Sequence, residues 1–449
     1  MADESNGEKA PGIDYGRALP IFALVFVDVL GLTILLPLLH LYAIQFGASP
    51  LEIGLVAAAF PLAQLIGVPV MGALSDRYGR KPLLLISQVT TCIGFIMLGL
   101  ANSLWLVALS RIIDGLFGAN FATAQAALSD ITDDDSRAQG LGLIGAAFGL
   151  GFLGGPVIAI LALEFSDSLS LPAYIAAAYS ALSILLTAFV FKETLPPEKR
   201  GTTRSGLSLG GIGRLLTRRN LGLLLLILFF QQIVFYAFEN LLGLFTLSQI
   251  GVTGQGNALF FLFVGLILVV VQGRYIGKWT RRWGEAVVVR AALGMLAVGL
   301  LLFAFTPRQP HPLYVREIVE NDLRAGNLTA TESVIGDIQI QLPDNEARGL
   351  GGAIWMLVAL VPIAIGSGLI RPGLNSLMTR SVPRTEFGAV LGTSAAFVSA
   401  ANAAAPLLGG LLFQHFGAPV PFLVGGLVML ALFGLSLIVV QQPKREALA

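Results

Sequence analysis

The 449-residue chain has one cysteine, Cys92. That excludes an intramolecular disulfide and a cysteine-built metal site. Histidine is almost as scarce. His40, His311 and His415 are scattered, which argues against a histidine metal cluster. Charged residues make up 12% of the chain, too few to clothe a water-soluble protein of this size. The formal net charge of +1 leaves no basic excess for nucleic acid. There is no GxxxxGK[ST] phosphate loop, so ATP is not expected to drive the chain from within. Nor is there a convergent set of nucleophile, base and metal ligands, so no enzyme, no metal and no cofactor are expected.

What fills the chain instead is apolar sequence, 55% of it, with 52 glycines. Runs near Ala18–Ala43, Leu51–Ala73, Pro82–Leu100, Leu104–Leu128, Gln139–Leu163 and Pro172–Phe191 are followed by six more. Those are Asn220–Thr246, Asn257–Tyr275, Ala286–Phe305, Gly351–Thr379, Phe387–Phe413 and Pro419–Val440. Each is near the roughly 20 residues a helix needs to cross a bilayer. The expected fold is an all-α membrane protein of twelve transmembrane helices in two six-helix halves, 18–191 and 220–440. Residues 1–17 and 441–449 read as tails and 192–219 as a linker, with a short amphipathic helix at 207–216. The first residues do not look like a cleaved signal peptide. Lys and Arg gather on alternate loops, among them Arg77, Arg80, Lys81, Arg137, Arg274–Arg282 and Arg380. The opposite turns near Gly47, Asn102, Ser168, Gly251 and Gly417 have none, which puts both termini in the cytoplasm.

Residues 307–348 are long for a loop and need a reason. Leu313, Val315, Ile318, Val319 and Leu323 recur with helical period, and 333–342 alternates like a strand. A helix-plus-strand insertion on the outer face is expected. It is either passive, a cap over the outer mouth, or a dock for an extracytoplasmic partner.

The chain is organised around Gly72-Ala73-Leu74-Ser75-Asp76-Arg77-Tyr78-Gly79-Arg80-Lys81-Pro82, a charged hairpin between two apolar runs. A degraded copy, Gly273–Gly284, lies about half the chain further on and points to an internal duplication. The first copy resembles the signature loop of the major facilitator superfamily. The resemblance implies the twelve-helix fold and an alternating-access carrier. It also implies a conformational latch of Gly72, Asp76, Arg77, Gly79, Arg80 and Asp130, holding the outward-open state.

Ionisable residues inside the apolar runs are costly and therefore functional candidates. Asp28 lies about ten residues into its run, roughly 15 Å deep. Arg111 and Asp114 share one helix face at i, i+3. Either the arginine simply neutralises a carboxylate, or the group is a proton site. A carboxylate out of water binds a proton more readily, and a nearby arginine opposes this. The stretch Ala108–Gly115 resembles the superfamily's fourth-helix motif, where the arginine is associated with proton coupling. The family more often has a neutral residue at the place of Asp114, so the proton carrier stays open between Asp28 and Asp114. Gly149, Gly151, Gly154, Gly155 and Pro156 resemble the antiporter motif of exporters, and the same small residues permit close helix packing. The first helix, Phe26–Pro37, resembles that of the tetracycline-type multidrug exporters. The acids those proteins carry in the third and ninth helices are replaced by Gly94 and Leu296, which speaks against tetracycline itself.

In the second half Gln232, Tyr236 and Glu239 share a face, as do Arg371 and Asn375. These are candidate cavity residues, and an anionic or zwitterionic group would pair with Arg371. Interhelical hydrogen bonding is the alternative for Gln232 and Tyr236, and a place at the outer water interface for Glu239. The expected function is a monomeric secondary transporter, exporting small amphiphiles or metabolites in exchange for protons (or Na+), multi-pass in a bacterial inner membrane. An importer or exchanger of a polar nutrient is the alternative. A transport-dead scaffold or receptor is the alternative of another class.

Overall fold

The computed structural model describes residues 15–132, 137–166, 168–200, 218–325, 340–382 and 387–439. Among these are twelve helices long and apolar enough to cross a membrane. In chain order, spans 1 to 6 are Gly16–Gln45, Pro50–Tyr78, Arg80–Gly99, Leu104–Asp130, Leu143–Phe165 and Ser170–Phe189. Spans 7 to 12 are Asn220–Ile250, Gly254–Trp283, Glu285–Ala304, Gly351–Arg380, Gly392–Phe416 and Val420–Ile438. The expected tail, the helix at 207–216 and residues 333–339 of the expected strand lie outside the described residues. Residues 340–342 are irregular chain rather than strand.

The duplication is visible in the turns. Gly47 and Gly251, after spans 1 and 7, have φ of 70° and 69°. Gly79 and Gly284, after spans 2 and 8, have φ of 109° and 81°. Both pairs occupy the region that only glycine enters freely. Spans 3 and 9 then each run 20 residues.

Three spans are not regular. Span 1 breaks at Leu36–Leu38 and resumes as Leu39–Gln45. Span 8 passes through a π turn at Val271–Tyr275. In span 4 the helix Leu104–Phe117 stops at Gly118 and restarts at Asn120. Backbone polar groups freed inside a membrane must find partners. At the span 4 break Ser87 of span 3 supplies two. Its hydroxyl donates to Phe117 O at 2.5 Å and accepts from the Ala119 N–H at 2.9 Å. Gln64 of span 2 donates to Gly118 O at 3.2 Å.

The two halves meet through spans 2 and 11 and spans 5 and 8. Side chains at the contact are small. Gly54 and Pro50 of span 2 lie directly against Pro406 and Gly410 of span 11. The same end carries hydrogen bonds between the halves. Gln414 accepts from the Leu51 N–H at 3.0 Å, Asn257 donates to Pro37 O at 2.7 Å, and Gln255 donates to Glu164 at 3.3 Å. At the other end the helices part. Gly72, Gly145, Gly273 and Gly277 face open space, and Ile276–Trp283 has no buried residue. Among the described residues the molecule is closed on the face of Gly47 and Gly251 and open on the face of Arg77 and Arg274.

Candidate functional site

The break in span 4 places Asn120 at the start of a new helix. Its amide donates to Asp28 Oδ1 of span 1 at 2.8 Å. No cation is paired with Asp28 among the described residues. Asp28 is half-buried and lies 13 residues from Tyr15, the described start of span 1 on the open face. That is about 20 Å at 1.5 Å per residue.

Arg111 and Asp114 sit on the other side of the break and are both buried. Arg111 Nη1 is 3.4 Å from Asp114 Oδ2, and Thr91 of span 3 donates to Asp114 Oδ1 at 2.7 Å. The guanidinium also lies over the Phe95 ring, 5.7 Å from its centre. Gly94 packs beside this cluster, and a Cβ there would press on Ser110 O at 3.3 Å and meet Asp114 at ordinary contact distance. The two candidate acids are thus in different settings. Asp114 already has a cation and a hydroxyl, whereas Asp28 has an amide.

Span 5 packs on span 1 just beyond Asp28. Gly151 lies against Val29, Gly154 against Leu30 and Gly155 against Thr33. Thr33 donates to Gly151 O at 2.9 Å across this contact. Gly149 instead looks toward Val269 of span 8. The helix continues unbroken through Pro156.

The hairpin after span 2 forms a compact ionic knot. Arg80 is 2.5 Å from Asp76 and 2.9 Å from Asp130, and it donates to Ser75 at 3.1 Å. The sequence reading missed Glu193, which follows span 6. Its carboxylate accepts from the Arg80 and Lys81 N–H groups at 2.9 and 3.1 Å, satisfying the free donors at the start of span 3. Gly79 is needed twice, for its positive φ and because a Cβ would strike Glu193. Thr194 donates to Asp130 at 3.2 Å and ties in the same strand of chain. These pairs all lie within the first half and the start of the linker that follows it. Arg77 is exposed over the Tyr78 ring, and Gly72 has no neighbour.

In the second half the corresponding pair has the opposite sign. Glu285, the first residue after Gly284, is 2.6 Å from Arg380 at the end of span 10. Two further ion pairs of the second half, Arg316 with Glu320 at 2.8 Å and with Asp344 at 3.1 Å, lie in the insertion. The spans of this half also carry hydrogen bonds between neutral side chains. Gln232 donates to Asn402 at 2.8 Å and Ser394 donates to Asn375 at 3.2 Å. Tyr236 and Glu239, three residues apart on one face of span 7, are both half-buried. Arg371 is exposed and has no hydrogen bond, ion pair or ring contact among the described residues.

On the closed face the insertion forms a strap. His311 N–H donates to Ile250 O at 3.1 Å, and Tyr314, fully buried, covers Gly251 and donates to Pro343 O at 2.9 Å. Burial holds the His311 imidazole below the usual histidine range. The helix Arg316–Ala325 turns Val319 and Leu323 inward and touches Leu39–Gln45 of the first half.

The family model described as Major Facilitator Superfamily matches residues 21–315 and 349–449. The chain belongs to that superfamily. It is a multi-pass membrane transporter of small molecules and not an enzyme. The interval between the two matched stretches, 316–348, falls inside the insertion. Among curated relatives, the class B tetracycline resistance protein of Escherichia coli is 26% identical over 396 residues, 87% of each chain. Multidrug resistance protein 2 of Bacillus subtilis is 24% identical over 432 residues, 95% of each chain. Two solved structures share the fold. The human organic anion transporter MFSD10 (TETRAN) has a TM-score of 0.61 and 21% identity, covering 96% of this chain and 100% of that one. The nucleoside transporter NupG has a TM-score of 0.72 and 12% identity, covering 95% and 100%.

Proposed function

We propose that this transporter is a proton-coupled exporter of small amphiphilic compounds or metabolites, working as a monomer in a bacterial inner membrane with both termini in the cytoplasm. The observation that carries the reading is Asp28, a carboxylate at membrane depth held by an amide rather than by a cation. Such a group can change protonation state without breaking an ion pair, whereas Asp114 would have to abandon Arg111. The tetracycline and multidrug resistance proteins among its relatives support export.

The conformation is then the inward-open one, with the outer ends of spans 2, 11, 5 and 8 closed. Substrate enters from the basic face. The halves rock, the inner ends close, and substrate leaves outward while Asp28 takes a proton. On return the proton is released inward. Arg111 and Asp114 hold span 4 against span 3 and position the break that presents Asn120. Gly149, Gly151, Gly154, Gly155 and Pro156 keep span 5 close on span 1 during the motion. Gly72 and Arg77, unpacked in this state, are the surface that meets the second half when the inner side closes. Asp76, Gly79, Arg80 and Asp130 hold that hairpin in shape. Gln232, Tyr236, Glu239, Arg371 and Asn375 line the second half's side of the cavity.

The test is transport by purified protein in inside-out proteoliposomes, screened over an amphiphile panel. An imposed gradient, acid inside, is expected to drive accumulation of at least one compound, and a protonophore to collapse it. Equal accumulation with and without the gradient would overturn the coupling.

A further inference from the structure

Arg371 lies nine residues from Arg380, the open-face end of span 10 (380 − 371 = 9). At about 1.5 Å per residue it is roughly 13 Å in from that end. Its place on the helix is set by its neighbours. Gly368, three residues before, meets Leu268 and Val271 along span 8. Asn375, four residues after, accepts from Ser394 of span 11. Spans 8 and 11 are the helices through which the second half meets the first. Arg371 therefore projects into the gap between the halves, and it is exposed there.

A guanidinium stays charged at every physiological pH. Holding that charge at membrane depth is costly unless something balances it. Among the described residues nothing pairs with it. Asn375 and Ser394 bond each other, and no carboxylate meets Arg371. Apolar surface lies at the same level. Phe229 and Phe397 are each ten residues from the open-face ends of their helices, Arg219 and Phe387 (229 − 219 and 397 − 387). Their rings meet edge to face with centres 5.8 Å apart, and both are only half-buried.

We propose that the cavity takes its substrate as an amphiphilic organic anion, with the acidic group on the Arg371 guanidinium and the apolar body against Phe229 and Phe397. This rests on the transport reading above and adds the substrate's chemical class. A planar carboxylate matches the two-pronged face of a guanidinium, which an ammonium does not reproduce.

The test uses aromatic carboxylates, each beside its neutral carboxamide: benzoate, 1-naphthoate and 1-pyrenebutyrate. Binding to the purified full-length protein is measured by titration calorimetry at matched ionic strength. For at least one pair the acid is expected to bind about tenfold or more tighter than the amide, the scale of one charge-assisted hydrogen bond. Arg371→Gln is expected to erase that preference and Arg371→Lys to keep only part of it. Phe397→Ala is expected to weaken acid and amide together. The proposal is overturned if no acid is preferred to its amide, or if Arg371→Gln keeps the preference. Should Arg371→Gln fail to fold, the wild-type acid-to-amide ratios and Arg371→Lys still decide. The transport reading fails separately. Acids bound through Arg371 but moved by no proton gradient would sink export and leave the anion site standing.

Discussion

The two halves share a plan and differ in what they do with charge. Each has a glycine of positive φ between its second and third spans, and each ties the next residue to the end of its fourth span. In the first half the tie is Arg80 to Asp130, with side chains 9% and 18% exposed. In the second it is Glu285 to Arg380, 10% and 57% exposed. A duplicated element has kept its geometry while the signs were exchanged, so position rather than charge is what the fold requires there. Deeper in the membrane the halves diverge further. The first breaks spans 1 and 4 and gathers Asp28, Asn120, Arg111 and Asp114 around the break in span 4. The second keeps spans 7 and 10 continuous, bonds neutral amides and hydroxyls to each other, and among the described residues gives Arg371 no partner. The division suits a carrier in which one half handles the proton and the other the substrate.

The sharpest way to break that division is Asp28→Asn. Uphill export driven by a proton gradient is expected to fall to the level of empty liposomes, while downhill exchange of the same compound continues. Asp114→Asn is expected to lower protein stability more than coupling, because it leaves Arg111 buried without its partner. If Asp114→Asn uncouples and Asp28→Asn does not, the roles of the two acids are reversed.

Next in size is a wedge in the closed face, the outer one under the proposed orientation. A side chain at Gly54 would meet Pro406 O, and one at Gly410 would meet Pro50 O. Gly410→Leu is expected to force spans 2 and 11 apart on that face. Cysteine labelling from outside at position 51 is expected to rise severalfold, with transport lost. Unchanged labelling would mean that the halves separate elsewhere.

The exchanged ion pairs give a graded test. Arg80→Ala strands Asp130 and Asp76 in a largely buried cluster and is expected to cost about 3 kcal/mol. Arg380→Ala removes a mostly exposed partner. Glu285 keeps its favourable place in the first turn of span 9, so the cost is expected to be about 1 kcal/mol. Denaturation of both variants in the same detergent ranks them, and the reverse order would contradict the comparison.

The smallest effects belong to the strap. Replacing 307–348 by a short Gly/Ser link is expected to leave folding and proton coupling intact and to change substrate range or release rate. Loss of folded protein would make the strap structural. His311 is held neutral by burial, so the unfolded chain takes up its proton first as pH falls. Its contribution is complete above the ordinary histidine value of 6.5 and declines below it. Protection of the strap against protease is expected to weaken below that pH and to lose this dependence in His311→Asn.

Much of this was legible in the sequence for a physical reason. Hydropathy and turn glycines report directly on membrane spans, so the twelve helices and the helix of the insertion could be placed. The hairpin residues were legible because glycine and charge have few other uses between two apolar runs. The breaks were not. The helix can end at Gly118 because Ser87 and Gln64, on other spans, satisfy the backbone of Phe117, Gly118 and Ala119. Asn120 carries no charge and lies six residues past Asp114, so nothing in its own stretch marks it as the partner of Asp28. Glu193 sits outside both halves' apolar runs, and its capping role exists only once span 6 returns beside span 3. Glu285 and Arg380 were hidden by the reversal of sign.

Proton release from the purified transporter, on addition of a compound it binds, tests the central assignment most directly. In weakly buffered solution near neutral pH the wild type is expected to release about one proton per compound bound, and Asp28→Asn none, with binding retained. Equal release from both would place the exchanging proton elsewhere and contradict the account.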